Sequence, residues 1–266
     1  KDQAAFENHR RWLTVDLQTG RVDRTHPLWS YLVSSGADRR AIDQCYCPPD
    51  VLGVNHYPTS ERFLDHRVER YPAEAIGGNG RERYADVEAV RSNDCTPMGV
   101  ESLLSSMWKR YHTATVISEA HIGCTREHQL RWLADMWRAA NSCRGAGADV
   151  RAVTVWSAFG AFDWASLLTR HDNSYEPGPF DVRSRVPRPT ALATMTRNLA
   201  RRGAYDHPVL DVGGWWVRRT MVLRPRVLAI VGTDSPAGRE FVRACEIRGL
   251  AYRPATTASL DRLRPW

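Results

Sequence analysis

Short apolar runs rich in β-branched residues recur along the chain and are separated by longer helical patterns. The strand-like runs occupy 51–57, 114–119, 151–157 and 227–232. Continuous apolar runs of this length are typical of parallel strands that are buried on both faces. Strands that alternate with helices predict an α/β protein built on a parallel sheet.

The helical patterns are recognised by apolar residues at 3.6-residue spacing and by their end signals. In the clearest one, Leu130 and Leu133 begin an apolar stripe, Thr125 is the expected N-cap, and Gly145 ends the pattern. The predicted helices cover 101–111, 126–144, 190–202 and 239–248.

Breaks in these patterns suggest how the chain is divided. The stretches 72–99 and 169–189 are rich in Gly, Pro and polar residues and are predicted as long loops. We expect one α/β unit over 1–204, a linker over 205–225 and a second unit over 226–266.

Composition places the chain among globular proteins, with 42% hydrophobic and 25% charged residues. The net charge is +7, but apart from Lys1 and Lys109 the cations are scattered arginines without a patch, which argues against a nucleic-acid partner. No apolar run approaches the roughly 20 residues of a membrane helix, and the N-terminus lacks a signal-peptide core. A soluble, cytoplasmic protein without a membrane partner is expected.

Cysteine and histidine do not form a recognisable metal motif. The pair Cys45 and Cys47 has one intervening residue, whereas zinc pairs usually have two to four, and no second pair follows. We therefore predict no metal and expect the six cysteines to be buried free thiols.

Chemically distinctive residues stand at the ends of the first three predicted strands. The first ends in Asn55-His56-Tyr57, and the second ends in Ser118-Glu119. The third ends in Trp156-Ser157 and is followed by Phe162-Asp163-Trp164. Parallel strands in a barrel present their C-terminal ends at one rim, where catalytic residues gather.

In this order the motifs resemble the last three strands of glycoside hydrolase family 1, the retaining β-glycosidases built on a (β/α)8 barrel. The resemblance covers roughly residues 5–200 and implies a fold that is the C-terminal part of such a barrel. It implies hydrolysis of O-glycosyl bonds in a small carbohydrate or glycoside, without a cofactor. By resemblance Glu119 is the nucleophile and Tyr57 orients it. The implied substrate-binding residues are Asn55, Trp156, Asp163 and Trp164.

The chain also departs from that family. Ala120-His121 follows the carboxylate where the family has Asn-Gly, and Asp163 replaces a glutamate. The Asn-Glu-Pro phrase that carries the family's acid/base is absent, as if the first half of the barrel were missing. Plainer readings stay open: Glu119 as a rim carboxylate paired with arginine, Asp163 as a helix cap, and the tryptophans as core residues.

The last segment differs in kind. An apolar strand runs into Gly232-Thr-Asp-Ser-Pro-Ala-Gly238, and a predicted helix follows. A glycine turn between strand and helix is typical of phosphate binding, although Ser235 takes the place of the middle glycine. The segment resembles the opening of a dTDP-4-dehydrorhamnose reductase-like domain. It implies the first βαβ elements of a Rossmann-like domain, with Gly232, Ser235 and Gly238 as cofactor-binding residues and NAD(P) as cofactor of a complete domain.

Two functions therefore compete. In the first, the chain is part of a retaining β-glycosidase with Glu119 as nucleophile and the acid/base elsewhere. In the second, it is part of a sugar-nucleotide reductase fusion whose barrel is a non-catalytic carbohydrate-binding scaffold. In either case we expect the isolated chain to be inactive and poorly stable, because half a barrel exposes two sheet edges.

Overall fold

The computed structural model describes residues 2–167, 169–217, 227–247 and 250–256. Its α-helices are α1 (Asp2–Gln18), α2 (Trp29–Ser34), α3 (Arg39–Asp43), α4 (Gly99–Tyr111), α5 (Arg126–Gly145), α6 (Ala191–Arg202) and α7 (Pro236–Ile247). Its strands are β1 (Val51–Asn55), β2 (Arg62–Asp65), β3 (Ile76–Gly78), β4 (Arg83–Glu88), β5 (Ala114–Ala120), β6 (Val150–Val155), β7 (Ala161–Phe162), β8 (Tyr175–Glu176), β9 (Phe180–Asp181), β10 (Arg188–Pro189), β11 (Leu228–Val231) and β12 (Tyr252–Ala255).

The central sheet has the strand order β1-β5-β6, and both pairings are parallel. Helix α4 joins β1 to β5, α5 joins β5 to β6, and α6 follows β6. This confirms the predicted parallel α/β arrangement and is consistent with part of a (β/α)8 barrel. The C-terminal ends of β1, β5 and β6 lie at the same end of the sheet. The segments that begin with Asn55, Ser118 and Trp156 lie at this end.

One face of this sheet packs against helices. In β1, Leu52 and Val54 are buried and Val51, Gly53 and Asn55 are exposed, which is the alternation that a strand covered on one side produces. The buried side chains join a core with α4, α5 and α6, whose largest fully enclosed members include Leu104, Ile117, Met136 and Met195.

The predicted loop at 72–99 is wrong in part. It contains β3 and β4, and β4 also pairs with β2, giving an antiparallel sheet of order β2-β4-β3. The side chain of Asn79 accepts hydrogen bonds from the N–H groups of Arg81 and Glu82, which forms the connection between β3 and β4. The polar, glycine-containing sequence hid these strands because pairing of β4 with β2 and β3, rather than a local hydrophobic pattern, defines them.

The predicted linker is packed onto the first unit as far as residue 217. The indole Nε1 of Trp216 donates to Asp135 Oδ2 over 2.8 Å, and its ring lies 5.0 Å from that of Trp132. Trp216 therefore docks on α5. The remaining linker positions, 218–226, lie outside the described residues.

The C-terminal unit is a βαβ arrangement in which β11 and β12 pair in parallel and α7 connects them. Helix α7 begins at Pro236, three residues before the predicted start, because proline is well suited to the first helical position. Arg248, the predicted last helical residue, lies outside the described range.

The cysteine expectation is wrong in part. All six thiols are free, but Cys45 and Cys47 are exposed, whereas Cys143 and Cys245 are buried. Among the described residues, no group of three or more His, Cys, Asp or Glu side chains is arranged to hold a metal ion. Every described helix is too short or too polar to cross a bilayer.

Candidate active site

Glu119 and Tyr57 meet at the C-terminal edge of the central sheet. The Tyr57 hydroxyl donates a hydrogen bond to Glu119 Oε2. Burial raises the pKa of Tyr57, and the hydrogen bond to Glu119 and the charges of Glu119 and Glu176 raise it further. Tyr57 therefore remains protonated and continues to donate to the carboxylate. Sequence reasoning had placed both residues at strand ends, and the structure brings them into contact.

An irregular strand end accounts for the position of Glu119. Val54 pairs with Ile117, but Asn55 pairs with Glu119, so Ser118 is an extra residue in the β5 ladder. Such bulges re-aim side chains at sheet rims. Ser118 Oγ donates to Asn55 Oδ1 over 2.6 Å, which anchors Asn55 at the same rim.

The end of β6 supplies aromatic side chains. Trp156 precedes a cis peptide bond to Ser157, and its ring lies 5.2 Å from that of Trp164 and 5.4 Å from that of His121. Trp164 is 42% exposed. The two predicted indoles are thus adjacent, and one of them presents a face to solvent.

Asp163 is held differently from the other predicted residues. It is 7% exposed and has a left-handed backbone with φ of 54°. Its Oδ1 accepts from the Ser174 N–H over 2.9 Å, and its own N–H donates to the Ser174 carbonyl. Although Asp163 precedes a short 3-10 helix, its side chain makes no capping bond there.

Sequence reasoning did not include Glu176 in the site. Glu176 lies in β8, within the predicted loop at 169–189, and its Oε1 is 2.7 Å from His121 Nε2. No periodic pattern marks a two-residue strand, so Glu176 carried no usable signal. His121 lies two positions after Glu119, and in the sequence it is distinctive only because Ala120-His121 replaces the family's Asn-Gly.

Two larger cavities lie near this rim, and Asn55 lines the second of them. One of about 410 Å³ is lined by His56, Trp132 and Trp216, and another of about 800 Å³ lies between α1 and the β2-β4-β3 sheet. Neither is lined by Glu119 or Tyr57. Glu119 itself is partly buried, and the face of β1 that points away from the helices is exposed.

The turn before α7 fits a nucleotide phosphate only in part. A Cβ at position 238 would lie 1.9 Å from the Gly232 carbonyl oxygen, so this close approach requires glycine. However, the Ser235 hydroxyl already accepts from the Gly238 N–H, and Asp234 adds a carboxylate to the turn. An occupied backbone N–H group and the negative charge of Asp234 both disfavour binding of an anion at this turn.

Comparison with known proteins relates the chain to glycoside hydrolases. A thermostable β-glucosidase B from Thermobispora bispora is 28% identical over 178 residues, which are 63% of this chain and 36% of that protein. A β-galactosidase from Saccharolobus solfataricus is 26% identical over 219 residues, which are 77% of this chain and 40% of that protein. The chain thus spans about two fifths of these relatives. No family model matches it.

Solved structures show the same fold. A Thermotoga maritima β-glucosidase in complex with noeuromycin has a TM-score of 0.52 at 13% identity, over 73% of this chain and 44% of that one. An Exiguobacterium marinum β-glucosidase has a TM-score of 0.50 over the same shares. The glycosidase-like part of the resemblance is therefore supported, whereas the reductase resemblance of 226–266 stays a prediction.

Proposed function

We propose that this chain is the C-terminal part of a longer barrel enzyme that hydrolyses O-glycosyl bonds with retention of configuration, and that Glu119 is its nucleophile. The observation that carries the proposal is the hydrogen bond from Tyr57 to Glu119, made between the ends of two adjacent parallel strands. Carboxylates positioned at this end of barrel strands are typical catalytic groups.

The chemistry follows from the requirements of retention. Glu119 would attack the anomeric carbon while a second carboxyl group protonates the departing oxygen. That second group then deprotonates a water, which releases the sugar from Glu119. Tyr57 holds the Glu119 carboxylate in place by donating to its Oε2. We place the acid/base in a part of the protein outside this chain, since the sequence has no Asn-Glu-Pro phrase.

The proposed substrates are small β-glycosides. The relatives are named as a β-glucosidase and a β-galactosidase, and one structural neighbour was solved with castanospermine. The adjacent rings of Trp156 and Trp164 supply apolar faces on which the C–H groups of a pyranose can pack.

A mechanism-based 2-fluoroglycoside tests this proposal in the full-length protein. We expect covalent labelling of Glu119, located by peptide mass spectrometry, and no labelling of a Glu119→Gln variant. Labelling of another carboxylate, or turnover that survives Glu119→Gln, would overturn the assignment of Glu119.

The second candidate is a sugar-nucleotide reductase in which the barrel part only binds carbohydrate. The observation in its favour is the βαβ unit with its glycine-dependent turn before α7. NAD(P) would supply hydride in the complete domain, and Gly232, Ser235 and Gly238 would lie at its phosphates. Oxidation of NADPH by the full-length protein with a nucleotide sugar, unchanged in Glu119→Gln, would favour this candidate over hydrolysis.

A further inference from the structure

Two carboxylates lie beside the tryptophan pair, and Asp163 is the less available of them. Its residue is 7% exposed, and one carboxylate oxygen accepts the Ser174 N–H. The Asp163 N–H also donates to the Ser174 carbonyl over 2.7 Å. Asp163 thus serves the turn that joins β7 to β8, and its short side chain is directed to that turn.

Glu176 is the more available carboxylate. Its side chain is 23% exposed, and Oε1 is 2.7 Å from His121 Nε2. With His121, Trp156 and Trp164 it surrounds a cavity of about 10 Å³. That volume holds at most one water, so a sugar would lie on the exposed rim of this group.

Glu176 also belongs electrostatically to the nucleophile's surroundings. Its negative charge contributes to raising the pKa of Tyr57, the residue that donates to Glu119. The position of Glu176 depends on Gly123, because a Cβ there would lie 2.4 Å from Glu176 Oε1. A partly exposed carboxylate, a hydrogen-bonded imidazole and flanking indoles therefore occur together at the rim that carries Glu119.

We infer that Glu176, and not Asp163, is the carboxylate that binds a sugar hydroxyl in this protein, with His121 as the positioning residue that holds it. The inference rests on the proposed glycosidase function and deepens it by naming a specificity-determining residue. A carboxylate accepts hydrogen bonds from hydroxyls while aromatic faces cover the sugar's C–H groups. The role predicted for Asp163 thereby passes to a residue 13 positions further along the chain.

The test is a set of monodeoxy aryl β-glycosides assayed with the full-length wild type, Glu176→Gln and the surface control Glu240→Gln. In the wild type, removal of one particular sugar hydroxyl should lower kcat/KM about tenfold or more, as loss of a charged hydrogen bond does. Glu176→Gln should lose a similar factor on the parent glycoside, chiefly through KM, and should show no further loss on that deoxy sugar. Glu240→Gln should match the wild type throughout.

The possible outcomes separate this inference from the proposed function. If Glu176→Gln loses as much kcat/KM on each monodeoxy glycoside as the wild type does, Glu176 binds no hydroxyl and the inference is overturned. This holds even if the melting temperature of the variant falls. If the wild type hydrolyses no glycoside, binding is measured by tryptophan fluorescence with the same sugars. Weaker binding by Glu176→Gln would then support the inference while hydrolysis is rejected, and unchanged or absent binding would overturn it.

Discussion

At the scale of single residues, the rim is defined by a few polar contacts that hold side chains in one orientation. Glu119 is partly buried and accepts from Tyr57, whose raised pKa keeps it a donor. Asn55 is fixed by Ser118 in the same way. These contacts oppose the plain reading of Glu119 as a carboxylate whose partner is an arginine.

Tyr57→Phe tests the role of this contact in catalysis. The change removes a hydrogen bond to a charged group, which is generally worth about 1.5–3 kcal/mol. We expect labelling of Glu119 by a 2-fluoroglycoside to slow by about tenfold to a hundredfold, measured by intact mass against time. Tyr71→Phe is the matched control, because Tyr71 donates to Asp65 Oδ2 over 2.9 Å, away from the site. Equal rates for both variants would contradict the role given to Tyr57.

Asp163 is expected to contribute to stability. Asp163→Ala loses the acceptor of the Ser174 N–H and places alanine at a left-handed φ of 54°, which together should cost about 2 kcal/mol of unfolding free energy. Asp163→Asn keeps an acceptor and tolerates this backbone, so it should cost less than about 0.5 kcal/mol. Chemical denaturation measures both. Two variants of equal stability would argue that the turn does not depend on Asp163.

At the scale of elements, a buried ionic group joins α1 to α4. Asp16 is fully buried; it accepts from Arg110 Nε over 2.8 Å and from the Tyr111 hydroxyl over 2.9 Å, and it contacts His26. Burial raises the pKa of Asp16, but the hydrogen bonds from Arg110, His26 and Tyr111 outweigh this and lower it. Burial and Asp16 raise the pKa of Tyr111 to about 12.

Asp16→Ala should therefore destabilise the protein by about 3 kcal/mol, because it leaves Arg110 and Tyr111 without their buried partner. Asp43→Ala removes an exposed pair with Arg39 and should cost less than about 0.5 kcal/mol.

A wild-type denaturation series against pH adds a second check. Because its pKa is lowered from 3.8, Asp16 stabilises the protein above about pH 3.8, and this contribution is lost as the pH falls further. Because its pKa is raised, Tyr111 loses its stabilising contribution as the pH rises from about 10 towards 12. Asp16→Ala should flatten both flanks.

At the scale of the whole molecule, the described residues cover only one of the two faces of the central sheet. Val51 is 39% exposed, and Gly53 and Asn55 are exposed on the same face. The edges of β1 and β6 have no strand partner within the described parts of the chain. An open sheet face with free edges is a template for association.

The isolated chain should therefore associate as its concentration rises, which sedimentation velocity detects. Val51→Lys places a charge on the open face and should increase the monomer fraction of the isolated chain, while lowering the melting temperature of the full-length protein. Val186→Lys, at a position 73% exposed in a loop, should do neither. A wild-type isolated chain that stays monomeric and melts sharply would show that the face needs no cover.

The sequence by itself was sufficient for the features that local pattern encodes. The apolar runs located β1, β5, β6 and β11, and the 3.6-residue stripe located α5 to within one residue at its C-terminal end. Because strand ends in a parallel sheet share one edge, the sequence also placed Glu119, Tyr57 and Trp156 at one rim. These features depend on side chains that are close in sequence.

Tertiary structure alone decided the features that depend on residues far apart. The bulge at Ser118, the pairing that creates β3 and β4, and the meeting of Glu176 with His121 across 55 positions have no periodic signature. Asp163 and Glu176 are both carboxylates next to aromatic residues in sequence, and only packing shows that one is turned into a hairpin while the other reaches the rim. Composition fixes which groups are available, but long-range contacts determine which of them face a substrate.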